Sequence, residues 1–294
     1  MNVQTWWLFV LGGLVCCLTP AVVRMYVPPH FSKPPNCSGE APSVESSSIS
    51  AALDAIDRIG FAFVTAAVPC ASNPSSPRNR LVAMQVPVCL RRGRATANGH
   101  PSSLDEQGLE LLGHYAAGNE AATTMHNQPV MALFLGPHGY ISPAWYPDKQ
   151  RGSKVVPTWN YVAVHVHGVL QRLESDAQLT DVLDRLTEQN ETARIAASTT
   201  GAARTAPRWR MSDAPEAYLS ALRKQIVGFR IRVHRVEAAW KLSQNKPPQL
   251  QVAVSRGLSD LTSTRHTAAS PQLLAAEMDG RTGDKRSTSL SAHL

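Results

Sequence analysis

A mainly β fold with accessory helices, built round a small closed barrel, is the class this sequence predicts. Three observations lead there. Short runs of β-branched and aromatic residues recur between Gly, Pro, Asn and Ser clusters; three stretches have helical rather than strand periodicity; and no internal repeat is present. The 294 residues, 43% of them hydrophobic, suffice for a sizeable core.

The elements follow in order. Residues 1–24 form an extension whose stretch Trp6 to Val23 is uncharged and mostly apolar, open to reading as a signal peptide, a membrane anchor or a misplaced start; no Lys or Arg precedes its apolar run, and Gly12, Gly13, Thr19 and Pro20 weaken it as a span. Ser32 to Ser48 reads as loop. Ile49, Leu53 and Ile56 lie at helical spacing, with Gly60 placed to end that helix. Strands are expected at Phe61 to Val68 and Leu81 to Leu90, separated by an insertion near 69–80 and followed by a basic insertion near 91–103. Met131 to Leu135 and Tyr161 to Val169 have strand character, while Gly136, Pro137, Gly139, Pro143, Pro147 and Pro157 are expected to break the backbone between them.

Ser175 and Gln178 form a capping box before the stripe Leu179, Val182, Leu183 and Leu186, which predicts a helix to Glu191. Residues 192–207 read as a linker. A second helix is expected to be capped by Asp213 and Glu216, to turn Tyr218, Leu219, Leu222 and Ile226 inward, and to stop at Gly228. Phe229, Ile231 and Val233 then alternate with Arg230, Arg232 and His234, a strand with one buried and one cationic face. Lys241 to Lys246, closed by Pro247 and Pro248, reads as a loop, and residues 263–294 as a disordered tail.

Lys and Arg outnumber Asp and Glu by 29 to 22, which suits either a solvated basic surface or attraction to a phosphate-bearing partner. The five cysteines include no C-x-x-C pair, which argues against structural zinc and for reduced thiols. Asn36 and Asn190 open glycosylation sequons that matter only in a secreted chain. No G-x-S-x-G elbow, Cys-His motif or H-E-x-x-H helix is present, so hydrolysis is disfavoured and no catalytic residue is assigned.

The block from Met131 to Tyr161 concentrates aromatic, hydroxyl, amide and ammonium groups, a composition suited to a flat, partly charged ligand. Trp145, Tyr146, Trp159 and Tyr161, with Tyr140 beside them, can wall a planar ring; Ser142, Thr158 and Asn160 can meet its polar edge; Lys154, Lys241 and Lys246 can meet a phosphate. Ser243, Gln244 and Asn245 add polar groups that either converge on an anion or cap a turn. Core packing is the alternative for Trp159 and Tyr161, and a solvated charge the alternative for Lys154. His165 and His167 share a strand face that, with His138, is open to a metal or haem, though no third ligand stands at metal spacing.

Met25 to Phe31 (MYVPPHF), Gly136 to Tyr146 (GPHGYISPAWY), Val156 to Tyr161 (VPTWNY), Ile226 to Phe229 (IVGF) and Lys241 to Lys246 (KLSQNK) together resemble the PaiB-like family of FMN-binding split barrels, negative transcriptional regulators, over roughly residues 25–262. The resemblance implies a split barrel, FMN as cofactor, and a homodimer with the flavin at its interface. It also favours Met25 as the start, and with it a cytoplasmic location. Haem is the minor alternative cofactor. DNA contact would fall to the face around Arg230 and Arg232 or to the basic insertions, since no helix-turn-helix is apparent. A flavin-dependent oxidoreductase and a cofactor-free scaffold are the alternatives. Gln85, Ala117 and Ala239 depart from the family pattern at a histidine and two basic positions, and so put flavin affinity in question.

Overall fold

A computed structural model describes residues 24–25, 44–69, 79–93, 108–147, 155–198, 201, 205–261 and 271–283. The strands are β1 (Arg24–Met25), β2 (Phe61–Pro69), β3 (Asn79–Arg91), β4 (Glu110–Ala116), β5 (Gln128–Ile141), β6 (Thr158–Arg172) and β7 (Ile226–Lys241). The helices are α1 (Val44–Ile59), α2 (Ala121–Thr124), α3 (Asp176–Ala196), α4 (Glu216–Arg223), α5 (Pro248–Ser259) and α6 (Pro271–Gly283). The N-terminal apolar stretch, the opening motif beyond Met25, most of the two early insertions and Lys154 lie outside the described residues.

Strands β2 to β7 close on themselves. β2 pairs with β3, β3 with β4, β4 with β7, β7 with β6, β6 with β5, and β5 with β2, every pair antiparallel. β7 is the hinge of this ring. Its first half, Ile226 to Arg232, pairs with β4, whereas Glu237 and Ala238 pair in parallel with Arg24 and Met25. One long strand thus serves two neighbours in succession on one side while holding β6 on the other. The closure leaves few free edges, which removes the usual route to edge-to-edge association.

The period-two burial expected of such strands fills the interior with Val64, Met84, Leu111, Phe134, Val164, Ile231 and Trp240, among others. α1 joins that core through Ala52, Leu53 and Ile56, and Gly60 ends it at φ +61, its N–H bonded to the Ile56 carbonyl at 2.9 Å. α3 begins at the expected capping box and covers Cys89 and Leu112, on the outside of β3 and β4, with Val182 and Leu186.

Several expectations are corrected. Gly136 and Pro137 do not end β5; the strand runs through them, with one extra residue between Leu135 and His138. A proline is tolerated there because a bulge leaves one backbone N–H without a ladder partner. No Asp213–Glu216 box caps α4: Asp213 instead accepts from the Arg210 backbone N–H at 2.8 Å, and Pro215 precedes the helix. Of the four residues expected to face inward, Leu219 is buried, Tyr218 and Leu222 are exposed, and Ile226 opens β7. Gly228 lies within that strand and does not end the helix. The linker expected at 192–207 begins late, since α3 continues to Ala196.

The disordered tail expected from residue 263 is overturned for residues 271–283, which form α6 and bury Leu274, Ala275 and Met278 in the main core. A helix with few apolar residues can still be ordered when those few meet a prepared surface, here α5 and β5. β4 and α5 had no counterpart among the expected elements; Gly113 and His114 interrupt the apolar run of one, and the proline pair masks the N-terminus of the other.

Candidate functional site

Strand β6 displays the string Thr158 to Tyr161 with alternating direction, and this separates the expected site into two parts. Asn160 points inward and is fully buried. Its side-chain amide donates to Ser243 Oγ at 3.0 Å, lies 3.6 Å from Met278 Sδ on α6, and has its carbonyl oxygen 3.2 Å from the same hydroxyl. Ser243, at φ +62, is buried as well. A buried amide and hydroxyl that satisfy each other fix the β7 exit against β6, because either alone would carry a desolvation cost.

The remaining groups of the Lys241 to Lys246 block form a turn that leads into α5. Gln244 accepts from the Leu242 backbone N–H at 2.8 Å and donates to the Trp240 carbonyl. The Lys246 backbone N–H donates to the Ser243 carbonyl at 2.9 Å, and its own carbonyl accepts from Gln251 at 2.7 Å. The capped-turn alternative therefore holds for Ser243 and Gln244. Asn245 is exposed and the Lys246 side chain is half-buried.

Outside the barrel, the same strands present a different surface. Tyr140 lies opposite Trp159 in the β5–β6 ladder, and His138 opposite Tyr161. The extra residue at Gly136–Pro137 is what puts His138 and Tyr140 on this outer face, since without it both would turn inward. Trp159 meets the Tyr140 ring edge-on with centroids 6.4 Å apart, and its Nε1–H donates to His138 Nδ1 at 3.2 Å. Burial holds the His138 pKa below its ordinary value. Lys241, across the ladder from Tyr161, donates to Thr158 Oγ1 at 2.8 Å, so its ammonium is held at the edge of the aromatic group.

Two of the residues expected as ring walls make other contacts. Tyr146 is buried in the core, where burial raises its phenol pKa, and Trp145 lies over Gly257 of α5. A Cβ on Gly257 would come within 2.4 Å of the Trp145 ring, so that glycine is what allows the contact. Ser142 caps the short turn Pro143–Trp145 by accepting from the Ala144 N–H at 3.2 Å. The structure therefore sets Tyr140, Trp159 and Tyr161 on one outer face with His138, ties Lys241, opposite Tyr161, to Thr158 at the start of β6, and gives Asn160, Ser243, Tyr146, Trp145 and Ser142 internal contacts.

Next to this aromatic end the outer face is apolar and open. Phe61, Phe63 and Leu135 are 44%, 41% and 42% exposed, on β2 and β5, with Ala163 of β6 opposite Leu135. Farther along, His167 accepts from Arg235 at 3.1 Å and lies 3.3 Å from Glu237, in a half-buried ionic group. Burial first and the Arg235 charge second hold the His167 pKa down. A single extra residue in β7, His234, accounts for this set: Val233 pairs with Gly168 and Arg235 with His167. Beyond it the outward residues are Arg235, Glu237, Ala239 and Lys241, a set that simple alternation from Arg230 does not give. Gly168 permits the bulge, because a Cβ there would stand 2.4 Å from the Arg232 carbonyl oxygen.

No group of three or more metal-ligating side chains exists among the described residues. Of the departures from the family pattern, Gln85 is opposite Phe63 and Ala239 opposite Ala163, both on the outer face, while Ala117 follows β4.

A family model described as "Putative FMN-binding domain" matches residues 41–235. The chain belongs to that FMN-binding family. FMN is accordingly the cofactor that family membership assigns, and the Lys241 to Lys246 block, α5 and α6 lie beyond the matched segment. The protease synthase and sporulation protein PAI 2 of Bacillus subtilis is 38% identical over 165 residues, 54% of this chain and 70% of that protein. An uncharacterized protein of Aspergillus fumigatus is 34% identical over 179 residues, 58% of this chain and 66% of its own length. The chain thus spans about two thirds of these relatives. Among solved structures, the FAD binding protein from Mycobacterium smegmatis overlays at a TM-score of 0.30 with 10% identity, over 64% of this chain and 90% of that one. So shallow an overlay carries no argument; the closed ring of six strands is evident from the strand pairing itself.

No helix among the described residues is long and apolar enough to cross a membrane.

Proposed function

We propose that this protein is a flavin-responsive regulator that binds FMN on the outer aromatic end of β5, β6 and β7 and pairs with a second copy through the adjoining apolar face. The observation that carries this reading is the convergence of Trp159, Tyr140 and Tyr161 with a Thr158-anchored Lys241 on one exposed surface, within a chain of the FMN-binding family. These residues fit the cofactor: the aromatic group offers stacking and edge contacts to an isoalloxazine ring, and the fixed ammonium offers charge to its phosphate. When bound, the flavin supplies reversible electron and hydride transfer, and the protein contributes position.

Pairing is supported by the contrast between the two sides of the barrel. α3 covers the β3–β4 exterior, whereas Phe61, Phe63 and Leu135 stand uncovered. An exposed apolar sheet face of this kind marks an interaction surface. The regulatory role is supported by the similarity to PAI 2, a protein named for protease synthesis and sporulation.

Titration of the purified chain with FMN, followed by absorbance and by light scattering on a sizing column, tests the reading. One flavin per subunit in a dimer is the expected result. A salt-sensitive gel shift with promoter DNA that responds to FMN would support the regulator. A cofactor-free scaffold is favoured by one observation, the internal use of Asn160, Ser243 and Gln244 in structural bonds. A folded chain that stays colourless in excess FMN would decide for that scaffold.

A further inference from the structure

The contact between Trp159 and His138 has a chemical consequence. An indole N–H can only donate, so the His138 Nδ1 that it meets at 3.2 Å must hold a lone pair. In a neutral imidazole the single proton then resides on Nε2. Ring centroids 5.9 Å apart with a 31° tilt keep the two side chains packed as well as bonded. His138 Nε2 meets no hydrogen-bond partner among the described residues, and the bulge at Gly136–Pro137 has turned the ring to the outer face beside Tyr140 and Tyr161.

We propose that His138, fixed by Trp159 in the Nε2–H form, is the positioning residue that donates a hydrogen bond to the acceptor edge of the flavin ring. This inference rests on the FMN reading above and goes beyond it by naming how the ring is oriented. A planar ligand with carbonyl oxygens or unprotonated ring nitrogens along one edge satisfies that donor; one with an N–H there meets a donor facing a donor and is disfavoured. The other groups at this end do different work: Lys241 supplies charge and the tyrosines supply area.

Three variants and one spectrum test it. In the full chain, H138F keeps a ring of similar shape and removes the donor, and FMN should bind about three- to tenfold more weakly, the factor of one neutral hydrogen bond. H138Q, which offers an amide N–H, should recover most of that loss. W159F leaves the imidazole free to change tautomer and should weaken binding by a smaller factor. Nitrogen-15 correlation spectra of the free protein at pH 7.5 should show the imidazole of His138 as the Nε2–H form, with that preference reduced in W159F. An Nδ1–H form in the wild-type chain would overturn the inference whatever the affinities. Wild-type FMN binding that H138F leaves unchanged would overturn the inference alone, whereas a wild-type chain that binds no FMN would remove the flavin reading and the inference together.

Discussion

Residues 159 and 160 are neighbours in the chain and belong to opposite worlds. Trp159 stands 38% exposed on the outer face among His138 and Tyr140, while Asn160 is fully buried and bonded to Ser243 beneath α6. Both are polar-tipped side chains within one short string, PTWNY, that looks like a single ligand motif. The strand pleat divides it: one half completes the fold and the other is left to meet a partner. A conspicuous motif in a strand should therefore be parsed by parity before its residues are assigned one role.

That contrast makes predictions of decreasing size. Replacing Asn160 by Ala removes the amide from a buried pair, opens a cavity and strands the Ser243 hydroxyl. A loss of about 2–4 kcal/mol is expected in urea denaturation. Near-wild-type stability would mean that the interior pair is dispensable and that Asn160 is not a fold-completing residue.

G257A tests the structural role of Trp145. The new Cβ meets the indole, which must shift off α5, and a destabilisation of about 1–3 kcal/mol is expected from the thermal midpoint, with FMN affinity of the folded fraction little changed. Strong loss of FMN with unaltered stability would return Trp145 to the ligand site.

W159A should show the reverse pattern. Because the ring is partly exposed, stability should fall by less than about 1 kcal/mol, while loss of the ring surface should weaken FMN roughly tenfold, equal to about 1.4 kcal/mol. Equilibrium dialysis and denaturation on the same sample give both numbers.

Acidification sharpens the comparison further. The pKa values of His138 and His167 are held below normal in the fold, chiefly by burial, so the unfolded chain takes up protons first as pH falls. Their contribution is present above the ordinary histidine pKa of about 6.5 and is lost as pH drops through it towards the lower folded values. The urea midpoint should therefore decline between pH 7 and 5, and less steeply in H167Q. The smallest effect belongs to the surface pair Arg194–Glu191 on α3: R194A should leave the urea midpoint indistinguishable from wild type, because solvent screens the pair.

β2, β3, β5, β6, β7 and α3 were legible because burial on one face imposes a period that composition reveals, and the Ser175–Gln178 box marks the start of α3 through local bonds alone. Gly60 was legible for the same reason, as a left-handed stop one residue past α1. Within the candidate site, Thr158, Trp159, Tyr161 and Lys241 stand out together in the sequence, and Lys241 is bonded to Thr158 and paired across the ladder with Tyr161. In the sequence His138 stands out as an imidazole open to a metal or haem; its pairing with Trp159 depends on a one-residue bulge, and Gly136–Pro137 reads instead as a break in the strand.

By itself the sequence determined the barrel class, the positions of five of its strands and the family, since each depends on local periodicity or on strings long enough to be specific. Tertiary structure alone decided which residues of those strings face outward, that α6 is ordered, and that Tyr218 and Leu222 are left in solvent. The physical reason is that two single-residue bulges and the crossing of β7 between two neighbours reset the parity of every residue that follows them, and such resets are fixed by distant backbone partners rather than by adjacent side chains.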